Sequence, residues 1–214
     1  AARNADYLKG SSSGGVFPAL ARNVVDDGGV VYGAVMNPDL VVSHSDAEDM
    51  DGIERMRGSK YVQSELYASF EDVKDLLEEG RRVMFTGTPC QIAGLKSYLG
   101  KDHPQLLTVD FACHGVPSPG LWEKYVKSLC LKYGSGIEEI RFRGKDRSWR
   151  QYDIVINAGD REIVVPHQKD PYMLLFLQDM TLRPSCYKCS FRSGFSGSDL
   201  RLADLWNVAE AAPE

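Results

Sequence analysis

The residues in this chain best suited to chemistry are four of its cysteines. Cys186 and Cys189 form a C-x-x-C pair, a spacing that lets two sulfurs converge on one metal or cluster and that also fits zinc knuckles and redox dithiols. Cys90 and Cys113 each follow a short apolar run with the signature of a buried strand. The C-terminal ends of such strands are where α/β sheets present their binding crevice, so loops there can aim both sulfurs at one point. Four thiolates cannot share a partly buried place without a cation, because an isolated buried charge is costly enough that the group takes up its proton instead. A metal ion or an iron-sulfur core removes that cost. Two other readings stand beside this one: Cys90 and Cys113 as small buried hydrophobes, and a zinc ion held by four thiolates in a non-catalytic binding module. The fifth cysteine, Cys130, follows Val126 by four residues beside Trp122, Tyr125 and Leu129. Core packing is its expected role, outside any cluster.

Two further segments have the chemistry of an anion or nucleotide site. Gly10-Ser11-Ser12-Ser13-Gly14-Gly15 leads into a helical pattern, and the N–H groups and positive dipole at a helix start favour a phosphate. An ordinary serine cap with a pliant lead-in is the alternative. Gly58-Ser59-Lys60-Tyr61-Val62-Gln63 offers an ammonium and an aromatic ring between helical stretches. It suits a nucleotide or, equally, a solvated loop.

The elements that must position these groups follow from periodicity. Apolar residues at helical spacing in 16–27 end at Gly28-Gly29, before a β-rich run at 30–36. Leu66, Phe70, Val73, Leu76 and Leu77 share a helical face, Gly80 stops that helix, and 82–86 is a short buried strand running into Thr86-Gly87-Thr88-Pro89-Cys90. Residues 91–99 are predicted helical and 106–111 a second buried strand that delivers Cys113. Ser118 and Pro119 start a helix over 121–133, stopped by Gly134. Strands are then expected at 137–142, 152–157 and 162–165, the last two forming a hairpin across Asn157-Ala158-Gly159-Asp160. A helix from Asp170-Pro171 to Met180 and a loop over 183–197 follow.

This pattern predicts an α/β fold: a central mixed, largely parallel sheet flanked by helices, with an antiparallel extension in the C-terminal half. Residues 1–10 read as a disordered or trimmed lead-in. Residues 11–207 form the domain, with an α/β part in 11–135 and a β-rich part carrying the C-x-x-C loop in 136–207.

Composition narrows the function classes. A chain of 214 residues buries roughly 70% of its unfolded surface, so it needs no disulfides to be stable. A net charge of −5 gives no general attraction to nucleic acid, although Arg141, Arg143, Lys145, Arg147 and Arg150 form a local basic group. No apolar run approaches a membrane span and no signal-peptide pattern opens the chain. Clustered cysteines without a disulfide framework point to the reducing cytoplasm.

In order along the chain, Ser12-Ser13-Gly14-Gly15-Val16-Phe17, Arg57-Gly58-Ser59-Lys60-Tyr61-Val62-Gln63-Ser64 and Thr86-Gly87-Thr88-Pro89-Cys90-Gln91 come first. Cys113-His114-Gly115-Val116-Pro117-Ser118, Asp170-Pro171-Tyr172-Met173 and Leu182-Arg183-Pro184-Ser185-Cys186-Tyr187-Lys188-Cys189 follow. Together these motifs resemble the beta subunit family of coenzyme F-420 hydrogenases and dehydrogenases, from about Ser11 to Trp206. The resemblance implies an oxidoreductase component binding FAD and a [4Fe-4S] cluster, which relays electrons between an iron-sulfur protein or subunit and a deazaflavin, coenzyme F-420, or another hydride acceptor. It assigns the cluster to Cys90, Cys113, Cys186 and Cys189, the phosphate contact to Ser13, Gly14 and Gly15, and the flavin surroundings to Ser59, Lys60, Tyr61, Thr86 and Thr88. His114, beside a ligand, would hydrogen-bond a cluster sulfur or serve structurally. Two features depart from the family pattern: these 214 residues hold no cysteine-rich ferredoxin-like segment, and Ala203-Asp204-Leu205-Trp206-Asn207 stands where the family favours Gly-Asp-Phe-Trp-Gly.

Overall fold

A computed structural model describes residues 4–8, 10–134, 136–144, 151–192 and 195–204. Lys145, Arg147 and Arg150 of the basic group, and Leu205 to Asn207, lie outside the described residues. The helices are α1 (Ala5–Leu8), α2 (Val16–Asp26), α3 (Met50–Met56), α4 (Ser69–Glu78), α5 (Pro89–Leu99), α6 (Pro119–Tyr133), α7 (Pro171–Leu177) and α8 (Pro184–Tyr187). The strands are β1 (Val30–Met36), β2 (Val42–Ala47), β3 (Val83–Gly87), β4 (Leu106–Phe111), β5 (Ile137–Gly144), β6 (Asp153–Ala158), β7 (Arg161–Pro166) and β8 (Leu200–Leu202).

A five-stranded sheet runs β2-β1-β3-β4-β8. Only β2 is antiparallel to its neighbour; β1, β3, β4 and β8 are parallel. Parallel strands covered on both faces read as continuous apolar runs, and Val83, Met84 and Phe85 of β3 are fully buried. Met84 faces a core shared with α2 and α3 through Ala21, Val24 and Ile53. Phe85 faces the opposite core, which α4 and α5 close with Val73, Leu77, Ile92 and Leu95. The second sheet is antiparallel, β5-β6-β7. It packs with α6 and α7 into a third core that includes Leu40, Val42 and Val62 from the first half of the chain. The predicted α/β architecture with an antiparallel extension is therefore observed.

The differences from expectation have local causes. β2 is Val-Ser-His-Ser-Asp-Ala, poor in strand-forming residues, yet it pairs along six residues of β1; tertiary pairing overrides propensity here. α3 is a short helix whose Asp49 cap accepts from the Gly52 N–H at 2.8 Å. α7 stops at Leu177 because Asp179 takes a left-handed conformation (φ 60°). The expected loop over 183–197 contains the single turn α8. β8 crosses back from the C-terminal half into the first sheet, against β4. Among the described residues no helix is long and apolar enough to cross a membrane.

Candidate functional site

The C-terminal ends of β3 and β4, which pair in parallel, deliver the first two cysteines. Cys90 belongs to the first turn of α5 rather than to the loop before it. That turn is fixed by a capping box: the Thr88 N–H donates to Gln91 Oε1 at 2.9 Å, and the Thr88 hydroxyl lies 3.0 Å from the same oxygen. Gln91 Nε2 in turn donates to Ser64 Oγ at 2.9 Å. Thr88 Oγ1 stands 3.2 Å from Cys90 Sγ, so Thr88 serves both the helix start and the thiol. Such a box satisfies N–H groups that a helix start otherwise leaves open.

Cys113 follows β4 on a strand end held from the side. Asp110, fully buried, accepts from Arg201 Nε at 2.7 Å and from its NH2 group at 2.6 Å, and from Ser196 Oγ at 2.5 Å. These bonds lash β8 to β4. Ala112 N–H adds a bond to Leu202 O at 2.9 Å.

Cys186 lies in α8 and Cys189 just beyond it. Their loop is stitched to the segment after Cys113: Arg183 N–H donates to Val116 O at 3.0 Å, and Pro117 pairs with Leu182 in an isolated bridge. Gly115 (φ 133°) makes that approach possible, since a Cβ there would lie 2.8 Å from Leu182 Cδ1 and 3.3 Å from Cys186 Cβ. A residue with a side chain would push the loops apart.

The consequence is convergence. Burial pushes the Cys113 thiol up to about 11; a backbone hydrogen bond from Gly115 opposes this, and Cys90, Cys186 and Cys189 each add to the rise. All three therefore lie within electrostatic reach of Cys113, and all five cysteines of the chain are free thiols. Among the described residues, no three His, Cys, Asp or Glu groups are gathered tightly enough to hold a single metal ion. Cys130 lies on α6 and packs against the third core.

The two nucleotide-type segments are also adjacent. Ser59 N–H donates to Ser12 Oγ at 2.6 Å. α2 follows Gly15 (φ 68°), which as a glycine supplies no side-chain cap, and a helix start of this kind can receive an anion through its N–H groups and dipole. Gly15 is required by packing as well: a Cβ would stand 2.5 Å from the Tyr7 carbonyl oxygen of α1. Ser13 donates its hydroxyl to Asp204, whose carboxylate also lies 3.7 Å from Arg143. Gly14 lies in the bend between them.

Each remaining flavin candidate has an internal partner. Lys60 Nζ donates to the carbonyls of Arg55, Met56 and Arg57 at 3.3, 2.8 and 2.9 Å, capping the C-terminal end of α3. Burial lowers its ammonium to about 7. Tyr61 packs its ring against Phe142 and Phe176 and its carbonyl accepts from Tyr172 Oη at 2.8 Å. Thr86 donates its hydroxyl to Tyr32 O at 3.0 Å, while its own carbonyl accepts from His44 Nε2 at 2.9 Å.

His44, Arg201 and Asp179 carried no sequence signal. His44 is buried on β2, stacked on Phe85, and burial lowers it to about 4. With Nε2 donating to Thr86, its Nδ1 is a buried acceptor without a hydrogen bond. Strand pairing alone brings His44, Arg201 and their partners together. His114 turns Nε2 toward Asp179, 2.6 Å away, and sets its ring edge on Phe176.

Comparison with known proteins agrees with this architecture. The family model for the C terminus of the coenzyme F420 hydrogenase/dehydrogenase beta subunit matches residues 80–205. Those residues include all four converging cysteines. Among solved structures, a chain of the F420-reducing [NiFe] hydrogenase complex from Methanosarcina barkeri superposes with a TM-score of 0.57 at 17% identity, covering 87% of this chain. At that identity the likeness shows a shared fold, and this chain accounts for 62% of the other's length. No curated protein sequence matches. With most of its length matched by the family profile, the chain belongs to the coenzyme F420 hydrogenase/dehydrogenase beta subunit family.

Proposed function

We propose that this chain is an electron-transfer oxidoreductase component in which Cys90, Cys113, Cys186 and Cys189 hold a [4Fe-4S] cluster close to a bound FAD. The observation that carries the reading is the convergence of three separately anchored elements, α5, the β4 end and the α8 loop, on one place lined with free thiols. Four thiolates can hold either a single zinc ion or an iron-sulfur core. Here Cys90, Cys186 and Cys189 each lie within electrostatic reach of Cys113, and membership of the coenzyme F420 hydrogenase/dehydrogenase beta subunit family favours the cluster.

The flavin belongs where the uncapped start of α2 meets the Ser59 loop. Ser13, Gly14 and Gly15 would face its phosphates, with Ser59, Lys60, Tyr61, Thr86 and Thr88 around it. Bound together, the two groups supply the exchange between one-electron and two-electron chemistry. The protein's own residues do the orienting. Thr88 joins the two regions, since its hydroxyl touches the Cys90 sulfur while its backbone closes the β3 end. Lys60 keeps α3, and so the 58–60 loop, in position. The electron partner is an iron-sulfur protein or subunit, and the hydride acceptor is coenzyme F420 or a compound of similar reactivity. Free thiols at every cysteine suit a cytoplasmic setting.

The test is anaerobic reconstitution of the protein, with iron, sulfide and flavin quantified and the visible and EPR spectra recorded. Near-stoichiometric cluster and flavin are expected. Serine at any of the four positions should abolish the cluster, whereas Cys130→Ser should leave it intact. A colourless protein carrying zinc and no flavin would refute the reading in favour of a binding module.

A further inference from the structure

The cysteine-bearing segments share one neighbour that the sequence did not single out. Asp179 follows α7, in a left-handed conformation (φ 60°), and its carboxylate and carbonyl reach three separate partners. Its Oδ1 lies 2.6 Å from Nε2 of His114, the residue after Cys113. The two atoms are in close contact without the alignment of a hydrogen bond. Its Oδ2 lies 3.9 Å from the Arg192 guanidinium, three residues after Cys189. Its backbone carbonyl accepts from the hydroxyl of Tyr187, the residue after Cys186. Every partner is within three residues of a different cysteine.

We infer that Asp179 is a positioning residue that clamps the Cys113, Cys186 and Cys189 segments into one geometry, while Cys90 is held independently by α5. The basis is mechanical. The loop over 183–192 has a single helical turn of its own, and such a segment keeps its shape through anchors rather than through a ladder of backbone bonds. Its near end is held by the Arg183–Val116 bond; farther along, at Tyr187 and Arg192, the Asp179 contacts tie the segment to the rest of the fold. Asp179 is itself fixed, because its N–H donates to Phe176 O at 3.1 Å and Phe176 is buried in the third core. The left-handed conformation is what points both the carboxylate and the carbonyl at the thiol region; aspartate and asparagine tolerate it better than other residues with side chains. The clamp thus couples the antiparallel half of the molecule to the sulfurs. A preorganised site of this kind keeps its ligands in place before the inorganic group arrives.

The clamp takes its purpose from the proposed cluster site, but its first test needs no cluster. In the apo protein, the alkylation rate of each cysteine is measured by mass spectrometry for wild type, Asp179→Asn and Tyr187→Phe, with melting curves recorded alongside. Asp179→Asn keeps the backbone conformation and carbonyl and loses the charge. It should raise the rates at Cys113 and Cys189 about fivefold, the factor that loss of an anchor of hydrogen-bond strength produces, and leave Cys90 and Cys130 unchanged. Tyr187→Phe should raise Cys186 and Cys189 with Cys113 unchanged, so a poorly folding first variant does not remove the test. Equal rates in all three proteins, or a uniform rise at all five cysteines, would overturn the clamp. In the second arm, each protein is reconstituted anaerobically and iron release to a chelator is timed, with faster loss expected from both variants. Wild type that takes up no iron or sulfide would sink the cluster reading alone, since the alkylation pattern decides the clamp separately.

Discussion

Replacing Asp110 by asparagine removes a charge from the tie between β8 and β4 while preserving side-chain volume. The carboxylate is fully buried and receives two bonds from Arg201, at 2.7 and 2.6 Å, and one from Ser196 at 2.5 Å. Breaking a buried ion pair costs about 3–5 kcal/mol when the partner charge is left behind. The Arg201 side chain is 26% exposed, so water recovers part of its solvation and the lower end applies, about 3 kcal/mol. For a chain of this size that corresponds to a fall of roughly 6–12 °C in melting temperature. Burial alone would raise the Asp110 carboxyl, but the bonds from Arg201 and Ser196 outweigh it and hold the group below its usual range. A depressed folded value gives stability that is present above the unfolded value of about 3.9 and lost as pH falls through the folded one. The difference between wild type and Asp110→Asn should therefore be constant from about pH 5 to 8 and shrink below pH 4. Calorimetry across that range, with Arg201→Met and the double variant closing a mutant cycle, gives the coupling directly. A melting shift under about 2 °C at pH 7, or a cycle without coupling, would refute the reasoning.

Two other substitutions probe the nucleotide-type segments. Gly15→Ala places a methyl group against the Tyr7 carbonyl at 2.5 Å in a left-handed backbone, so urea denaturation should show a loss of about 1–3 kcal/mol, with flavin retention reduced in parallel. Lys60 is lowered by burial to about 7, so between that value and the unfolded value of about 10.4 the unfolded chain binds the extra proton. Its contribution makes stability lowest below about pH 7 and rising toward pH 10, with a slope approaching 1.4 kcal/mol per pH unit. Lys60→Met should flatten that rise in denaturant midpoints taken at pH 6.5, 8 and 9.5; an unchanged slope would show that the ammonium is not desolvated.

The parts of the fold that were legible in sequence are those with strong local signals. β3 and β4 announce themselves as apolar runs because both faces are covered, and Gly80 and Gly134 end helices in conformations that favour glycine (φ 79° and 98°). Ser118 and Asp170 cap α6 and α7 as their positions before proline predict. β2 and β8 were not legible, because what stabilises them lies elsewhere in the chain. Ser43 and His44 are buried by pairing with β1, and Leu200 to Leu202 form a strand through register with Val109 to Phe111. The same division runs through the candidate site. Cysteine identity and spacing pointed to the four thiols, but nothing in a linear pattern marks Arg201 for Asp110 or Asp179 for His114, since each pair is assembled by tertiary contact. Cys90 shows the boundary well: its strand was anticipated, whereas its place inside the capped first turn of α5 depends on the Thr88 and Gln91 side chains.

That division bears on how the thiol region can work. Cys90 and Cys113 directly follow strands of the largely parallel sheet, while Cys186 and Cys189 are carried by a loop whose backbone is joined to the Cys113 segment at Val116 and Pro117 and whose far side is tied to Asp179, just past α7. A group bound by all four would therefore cross-link the parallel sheet to the half of the molecule built on the antiparallel one. Gly115 sets how closely those halves meet, because a side chain there would collide with Leu182 and crowd Cys186. The geometry of the sulfurs is thus decided less by the loops that carry them than by the packing of two cores against each other. Thiols held in that way would not have to be gathered from a mobile chain, so ordering costs that binding a shared group would otherwise meet would already be met in folding.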